Sequence, residues 1–219
     1  MLDVRPLAHA PQVPMDADTY IRRLLDPYLA RLSAAGSLIA PAKEPPFDPS
    51  DAGVPPEMVD LEIAGSDWVR WKVIPSRVQL SDIERLESRA GGPFPPLFRA
   101  FLQYAHVLSL ESGGVRLPSL PSDNALGDLS GSLSSWASLA SAGFVAFGDD
   151  LNDKGPICFD CARRLPDGDC PIVLFDHDEL FSLGETGAGH RESDVRLARE
   201  VAPSFTSLLE RIVAATRPN

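Results

Sequence analysis

The sequence predicts an α+β fold: a mainly antiparallel sheet flanked by helices, with an N-terminal helical extension. Three observations carry this. The apolar runs FVAFG (144–148), PICFD (156–160) and PIVLF (171–175) follow one another with only turn-rich segments, NDKG and LPDGD, between them, the pattern of hairpin-linked strands. Apolar residues recur at helical spacing near both ends, in the stripes Ile21, Leu24, Leu25, Tyr28, Leu29, Leu32 and Phe205, Leu208, Leu209, Ile212, Val213. Strands and helices do not alternate as a parallel βαβ sheet would require.

Each element has a local reason. Residues 1–17 are Pro-rich and predicted to be poorly ordered. In TYIRRLLDPYLARLSAAG, Pro27 either kinks one helix or starts a second one capped by Asp26, and Gly36 ends the pattern. Residues 40–57 carry enough prolines to read as a linker or a surface loop. Val69, Trp71 and Val73 alternate with Arg70 and Lys72, a half-buried strand. Ser81 and Glu84 have the spacing of a capping box before the stripe Ile83, Leu86, Ala90, and Gly91 stops that helix. A further helix begins at Pro95 or Pro96, with Leu97, Phe101, Leu102 and Ala105 on its inner face. Residues 109–143 read as irregular, with a short strand over Val115 to Leu117 and a helical turn near Trp136. The predicted division is an extension over 1–60 and one α+β domain over 61–219.

Composition narrows the function classes. The chain has 219 residues, 44% hydrophobic, which suffices for a real core, and 21 prolines, which predict many loops. Its net charge of -11 disfavours nucleic acid and anionic membranes as partners and favours basic ones. No apolar run is long enough to span a membrane, and the first residues lack the apolar stretch of a signal peptide. Three cysteines, an odd number, fit reduced thiols better than a disulfide framework. A cytoplasmic location is the expectation.

The segment 157–180 holds all three cysteines and one of the four histidines. Cys158, Cys161, Cys170 and His177 form a legitimate zinc donor set by residue type. Against it, Cys158 lies inside an apolar strand, where its side chain belongs in the core. DDLNDKG resembles the opening of a calcium loop, with Asp150, Asn152 and Gly155 in place, but Lys154 and Cys161 occupy positions that need oxygen ligands. Asp176 and Asp178 share one face if the segment is extended, and with His177 they could serve a metal-dependent hydrolase. Signatures of nucleophilic catalysis are missing from the sequence. No catalytic group, metal or cofactor is expected.

What remains is charge. Asp149, Asp150, Asp153, Asp160, Asp167, Asp169, Asp176, Asp178 and Glu179 face only Lys154, Arg163 and Arg164 between Phe144 and Leu180. Aspartate is a turn former, so turns alone account for some of them. Acidic groups presented outward on loops would also steer a basic partner and speed its arrival. All nine are candidate partner-binding residues.

At this point a resemblance appears. SDIERLESRAGGPFPPLFRAFL, through Ile83, Leu86, Glu87, Gly91, Pro96, Phe101 and Leu102, resembles the opening helices of the SUKH superfamily of immunity and cell-wall-assembly-regulator-like proteins. FVAFGDDLNDKGPICFD resembles the central hairpin of that family through Phe147, Gly148, Asp149, Gly155, Phe159 and Asp160. PIVLFDHDE, with Asp176 and His177, resembles the next strand, and SFTSLLERI the closing helix. The likeness spans about residues 68–214. The N-terminal extension lies outside it, HVLSLESGG stands where such proteins often have an Asn-Gly turn, and the cysteines match no functional position. The resemblance implies an α+β fold and function by binding, many bacterial members being immunity proteins that neutralise a co-encoded nuclease or deaminase toxin. A cognate toxin with a basic surface is therefore the expected partner. A regulatory scaffold is the alternative.

Overall fold

The computed structural model describes residues 16–44, 52–108, 110–182 and 189–215. The Pro-rich start and the whole PPFDPS stretch lie outside the described residues.

Helix α1 (Ala17–Ala34) runs through Pro27 as a single element. Its cap is Asp16, whose carboxylate accepts from the Thr19 backbone N–H at 2.9 Å. Asp26, the cap a second helix would have used, instead accepts from the Tyr104 hydroxyl at 2.5 Å. Strands β1 (Ile39–Pro41), β2 (Val59–Glu62) and β3 (Trp68–Trp71) form a small sheet in the order β1-β3-β2. Val69 and Trp71 are buried, as their alternation predicts, while Ile39, Leu61 and Trp68 are exposed. Strand β4 (Ile74–Pro75) pairs with β5 (Ala105–His106).

Between them lie α2 (Leu80–Ala90) and α3 (Pro96–Tyr104). The start of α2 differs from the expectation. Its cap is Gln79, and Asp82 rather than Glu84 accepts from the cap N–H, at 3.2 Å. Ser81 is drawn inside the helix because Leu80 already has helical geometry. Gly91, at φ 82°, ends α2. Glu87, the acid of the family-like motif, is buried and accepts from the Phe94 N–H at 2.8 Å, with Arg99 Nε 2.8 Å away. It fixes the turn between α2 and α3.

The main sheet comprises β6 (Glu111–Ser112), β7 (Val115–Arg116), β8 (Phe144–Asp150), β9 (Pro156–Asp160), β10 (Ile172–Leu174) and β11 (Arg199–Ala202). Its order, β11-β10-β9-β8-β7-β6, is a continuous antiparallel meander in space. Helices α4 (Gly127–Ser135) and α5 (Ala137–Ser141) precede β8, α6 (His177–Ser182) and α7 (Arg191–Leu197) separate β10 from β11, and α8 (Phe205–Ala215) closes the chain. The sequence points to a helical turn near Trp136, to an extended segment over 176–178 and to no helix between 176 and 202. These short elements have too few apolar positions to show a period.

Both faces of the sheet are covered. Val145, Phe147, Ile157, Phe159 and Ile172 join the main core with residues of α1, α2, α3, α4 and α8. The alternate residues Phe144, Ala146, Cys158, Val173 and Phe175 pack with Leu139, Ala142 and Leu180 on the other side. That is why β8 and β9 read as unbroken apolar runs rather than alternating ones. Phe98 sits at the centre of the first core, its ring 5.0 Å from Phe159, 5.2 Å from Phe205 and 5.3 Å from Phe147. Burying one such ring is worth about 1.5–3 kcal/mol before any geometric bonus.

The N-terminal segment packs on this core. Ile21, Leu25, Tyr28 and Leu29 are buried in it. Polar ties add to them: the Tyr20 hydroxyl donates to Glu210, Arg31 donates to the Val213 carbonyl at 3.2 Å, and Lys43 pairs with Asp123 at 2.8 Å. Among the described residues, no helix is long and apolar enough to cross a membrane.

Candidate functional site

The hairpin topology sorts the nine candidate acids between the two ends of the main sheet. Asp149, Asp150 and Asp153 lie where β8 turns into β9, and Asp176, Asp178 and Glu179 lie where β10 leads into α6. These two junctions touch. The His177 backbone N–H donates to the Lys154 carbonyl at 2.7 Å, and the Phe175 N–H to the Pro156 carbonyl at 3.1 Å. Asp160, Asp167 and Asp169 lie at the opposite end, where β9 turns into β10.

Two glycines permit the first end. At Gly155, φ 145°, a Cβ would stand 2.4 Å from the Phe175 carbonyl oxygen, and at Gly148 it would stand 2.5 Å from the Arg116 carbonyl oxygen. Only a residue without a side chain lets the β8–β9 turn lie against the start of α6 and lets β8 approach β7. Both positions belong to the family-like hairpin pattern.

Three of the nine acids do not point outward. Asp150 is buried and accepts from the Asn152 N–H at 2.9 Å, closing its own turn. The same turn holds Asp153 at φ 55°. Asp160 is 2% exposed and lies between two arginines, with Arg163 Nε at 2.6 Å and Arg191 at 2.7 Å. Asp169 is 4% exposed and caps α8, accepting from the Phe205 and Thr206 N–H groups at 3.0 and 3.1 Å and from the Thr206 hydroxyl at 2.9 Å. These are structural struts. Asp150 bonds within its own turn, whereas Asp160 and Asp169 also rely on Arg191, Phe205 and Thr206, far along the chain, which nothing local in the sequence marks.

The other six reach the surface. Asp153, Asp167 and Asp178 are exposed, and Asp149, Asp176 and Glu179 are half-buried. Asp149 lies opposite Arg116 in the β7–β8 register. Partial burial pushes its carboxyl above the usual range, against the pull of Arg116. Arg116 itself is paired with Glu111 at 2.8 Å. Asp176 is not part of an extended D-x-D face. Its carboxylate accepts from the Asp178 N–H at 3.0 Å and its carbonyl from the Leu180 N–H at 3.0 Å, so it starts α6. Helix geometry then separates the two carboxylates that an extended strand would have aligned.

The zinc-type set does not converge. Cys158 is buried in the second core, whereas Cys170 is buried in the first, on the other side of the sheet. Cys161 and Cys170 stand 3.9 Å apart, and the Nδ1 atom of His177 lies 2.8 Å from the Lys154 carbonyl at the far end of the sheet. Burial raises the Cys158 thiol well above its ordinary range, as expected of a core side chain.

Comparison with curated proteins finds no match. A family model described as the SMI1 / KNR4 family (SUKH-1) matches residues 77–211, from just before α2 to within α8, well over half of the chain. The match takes in the α2–α3 corner held by Glu87 and the whole six-stranded sheet with its two glycine contacts. The chain therefore belongs to the SMI1 / KNR4 family, SUKH-1.

Proposed function

We propose that the protein acts by binding rather than by catalysis, as an immunity protein that neutralises a co-encoded toxin of the nuclease or deaminase type. The observation that carries this reading is the joining of the β8–β9 turn to the start of α6, which gathers Asp149, Asp153, Asp176 and Asp178 at one end of the sheet. The nearby bases are Arg116, already paired with Glu111, Arg199, paired with Glu179, and Lys154. An enzyme that acts on nucleic acid has a basic cleft, and carboxylates on a rigid frame offer it the charge pattern of phosphates. Such a partner would be captured fast at low salt and more slowly at high salt.

The test begins with the reading frames beside this gene. A neighbouring toxin, co-expressed and purified, should bind with an association rate that falls steeply with ionic strength. Asp153→Asn combined with Asp178→Asn should slow association several-fold and leave dissociation nearly unchanged. A rate that ignores both salt and these changes rejects the charged end as the docking site.

A second reading, the regulatory scaffold, has its own observation. Ile39, Leu61 and Trp68 lie on one face of the small sheet and are 45%, 52% and 47% exposed. An apolar face of that kind suits protein association. Capture of several proteins that depends on Trp68 and not on Asp153 or Asp178 would favour it.

A further inference from the structure

We propose that Cys161 and Cys170 are a peroxide-oxidisable thiol pair that closes to an intramolecular disulfide. The backbone already sets the geometry. Strands β9 and β10 pair with Phe159 opposite Ile172, and the Asp160 N–H donates to the Pro171 carbonyl at 2.8 Å. Cys161 follows β9 directly, at the start of a short 3-10 turn, and Cys170 stands just ahead of β10, so the two thiols flank the end of this ladder. The two sulfurs are 3.9 Å apart, so a further approach of about 2 Å makes the bond.

The two thiols are not equivalent. Cys161 is partly exposed at the start of the turn, and Cys170 is buried. Cys170 donates its S–H to the Cys161 sulfur. That hydrogen bond, helped by nearby Arg164, holds the Cys161 thiol below its ordinary range, whereas the same bond and burial hold Cys170 above it. Cys161 is thus the attacking sulfur and Cys170 the resolving one.

The steps balance. The Cys161 thiolate attacks one oxygen of a hydroperoxide, the O–O bond breaks, and the departing oxyanion takes a proton to leave as water or an alcohol. Sulfur is oxidised to sulfenic acid. The Cys170 sulfur then attacks the Cys161 sulfur, an S–S bond forms, the S–O bond breaks, and hydroxide leaves with the Cys170 proton as water. Cys158 takes no part, because it is buried across the sheet. The product staples the turn whose Arg164 donates to the Gly168 and Pro93 carbonyls and whose Asp169 caps α8.

The test uses the whole chain, reduced and then exposed to a small excess of hydrogen peroxide. Two of the three thiols should disappear, peptide mapping should give a Cys161–Cys170 link, and Cys158 should be alkylated once the chain is unfolded. Dithiothreitol should restore all the thiols. Cys170→Ser should leave a sulfenic acid at Cys161 that dimedone traps, and Cys161→Ser should abolish thiol loss. If either variant fails to fold, the wild-type map decides alone. A link that includes Cys158, a link between chains, or thiols that survive peroxide able to oxidise free cysteine would overturn the proposal.

Discussion

The Asp169 carboxylate, at the end of the β9–β10 turn, lies 3.0 Å from the backbone N–H of Phe205, thirty-six residues further along the chain. One side chain thus anchors the turn and the first turn of α8 together. Asp169→Ala removes a charged cap and leaves N–H groups unpaired in the interior. It should destabilise the protein by about 3 kcal/mol in urea unfolding, with Asp169→Asn losing about half as much.

Phe98 is fully buried among five other phenylalanine rings, whereas Phe181 is 72% exposed. Phe98→Ala should cost about 3–5 kcal/mol. Phe181→Ala should stay within about 0.5 kcal/mol. Thermal or denaturant unfolding of the two variants side by side checks the contrast.

Gly155→Ala tests the contact between the β8–β9 turn and α6. The added methyl meets the Phe175 carbonyl at 2.4 Å, and φ 145° is strained for any L side chain. The turn must move away from α6. The expected result is a loss of about 2 kcal/mol or more, together with faster amide exchange at His177, whose N–H bonds to Lys154.

His106 supplies a pH dependence. It is 1% exposed, its Nε2 accepts from the Arg77 N–H at 3.0 Å, and its Nδ1 faces the Leu120 carbonyl at 3.2 Å. Burial lowers its pKa below 6.5; Glu57 and Asp123 oppose this and Arg77 adds to it. The unfolded chain therefore binds this proton first as pH falls, so stability rises with pH through the window just below 6.5. Above that window the contribution is complete. Stability measured from pH 5 to 7.5 should show this slope in the wild type and not in His106→Gln.

Asp149→Asn separates stability from binding. Partial burial raises the Asp149 carboxyl, so carrying its charge costs the folded state some stability relative to the unfolded chain. The amide should leave stability at pH 7 unchanged or slightly higher, while slowing association with a basic partner. A drop in stability would mean that Arg116 holds this carboxylate more tightly than burial penalises it.

Much of the fold was legible in the chain because it is carried by long periodic segments. The stripe from Ile21 to Leu32, the runs around Phe147 and Phe159, and the closing stripe from Phe205 each have enough apolar positions to declare a period. Helices α6 and α7 and strand β11 have four to seven residues each, too few for one. The start of α2 was misplaced because Ser81 and Glu84 have the right types, while the competing pair Gln79 and Asp82 is only two residues away. The candidate acids were legible as a set but not in their roles. Asp153 and Asp178 look like Asp160 and Asp169 in sequence. What separates them is whether an arginine or a helix start from elsewhere folds over them, and that depends on Arg191 and Phe205.

The sheet packed on both sides has a consequence for how this chain can vary. Replacing Phe147, Cys158 or Val173 disturbs one of two interiors, so those positions are held by volume. Asp153 and Asp178 sit beyond the ends of the strands, outside both interiors. Charge at such rim positions can therefore change without disturbing either interior, whereas Gly155, Asp160 and Asp169 tie the same sheet ends to the frame.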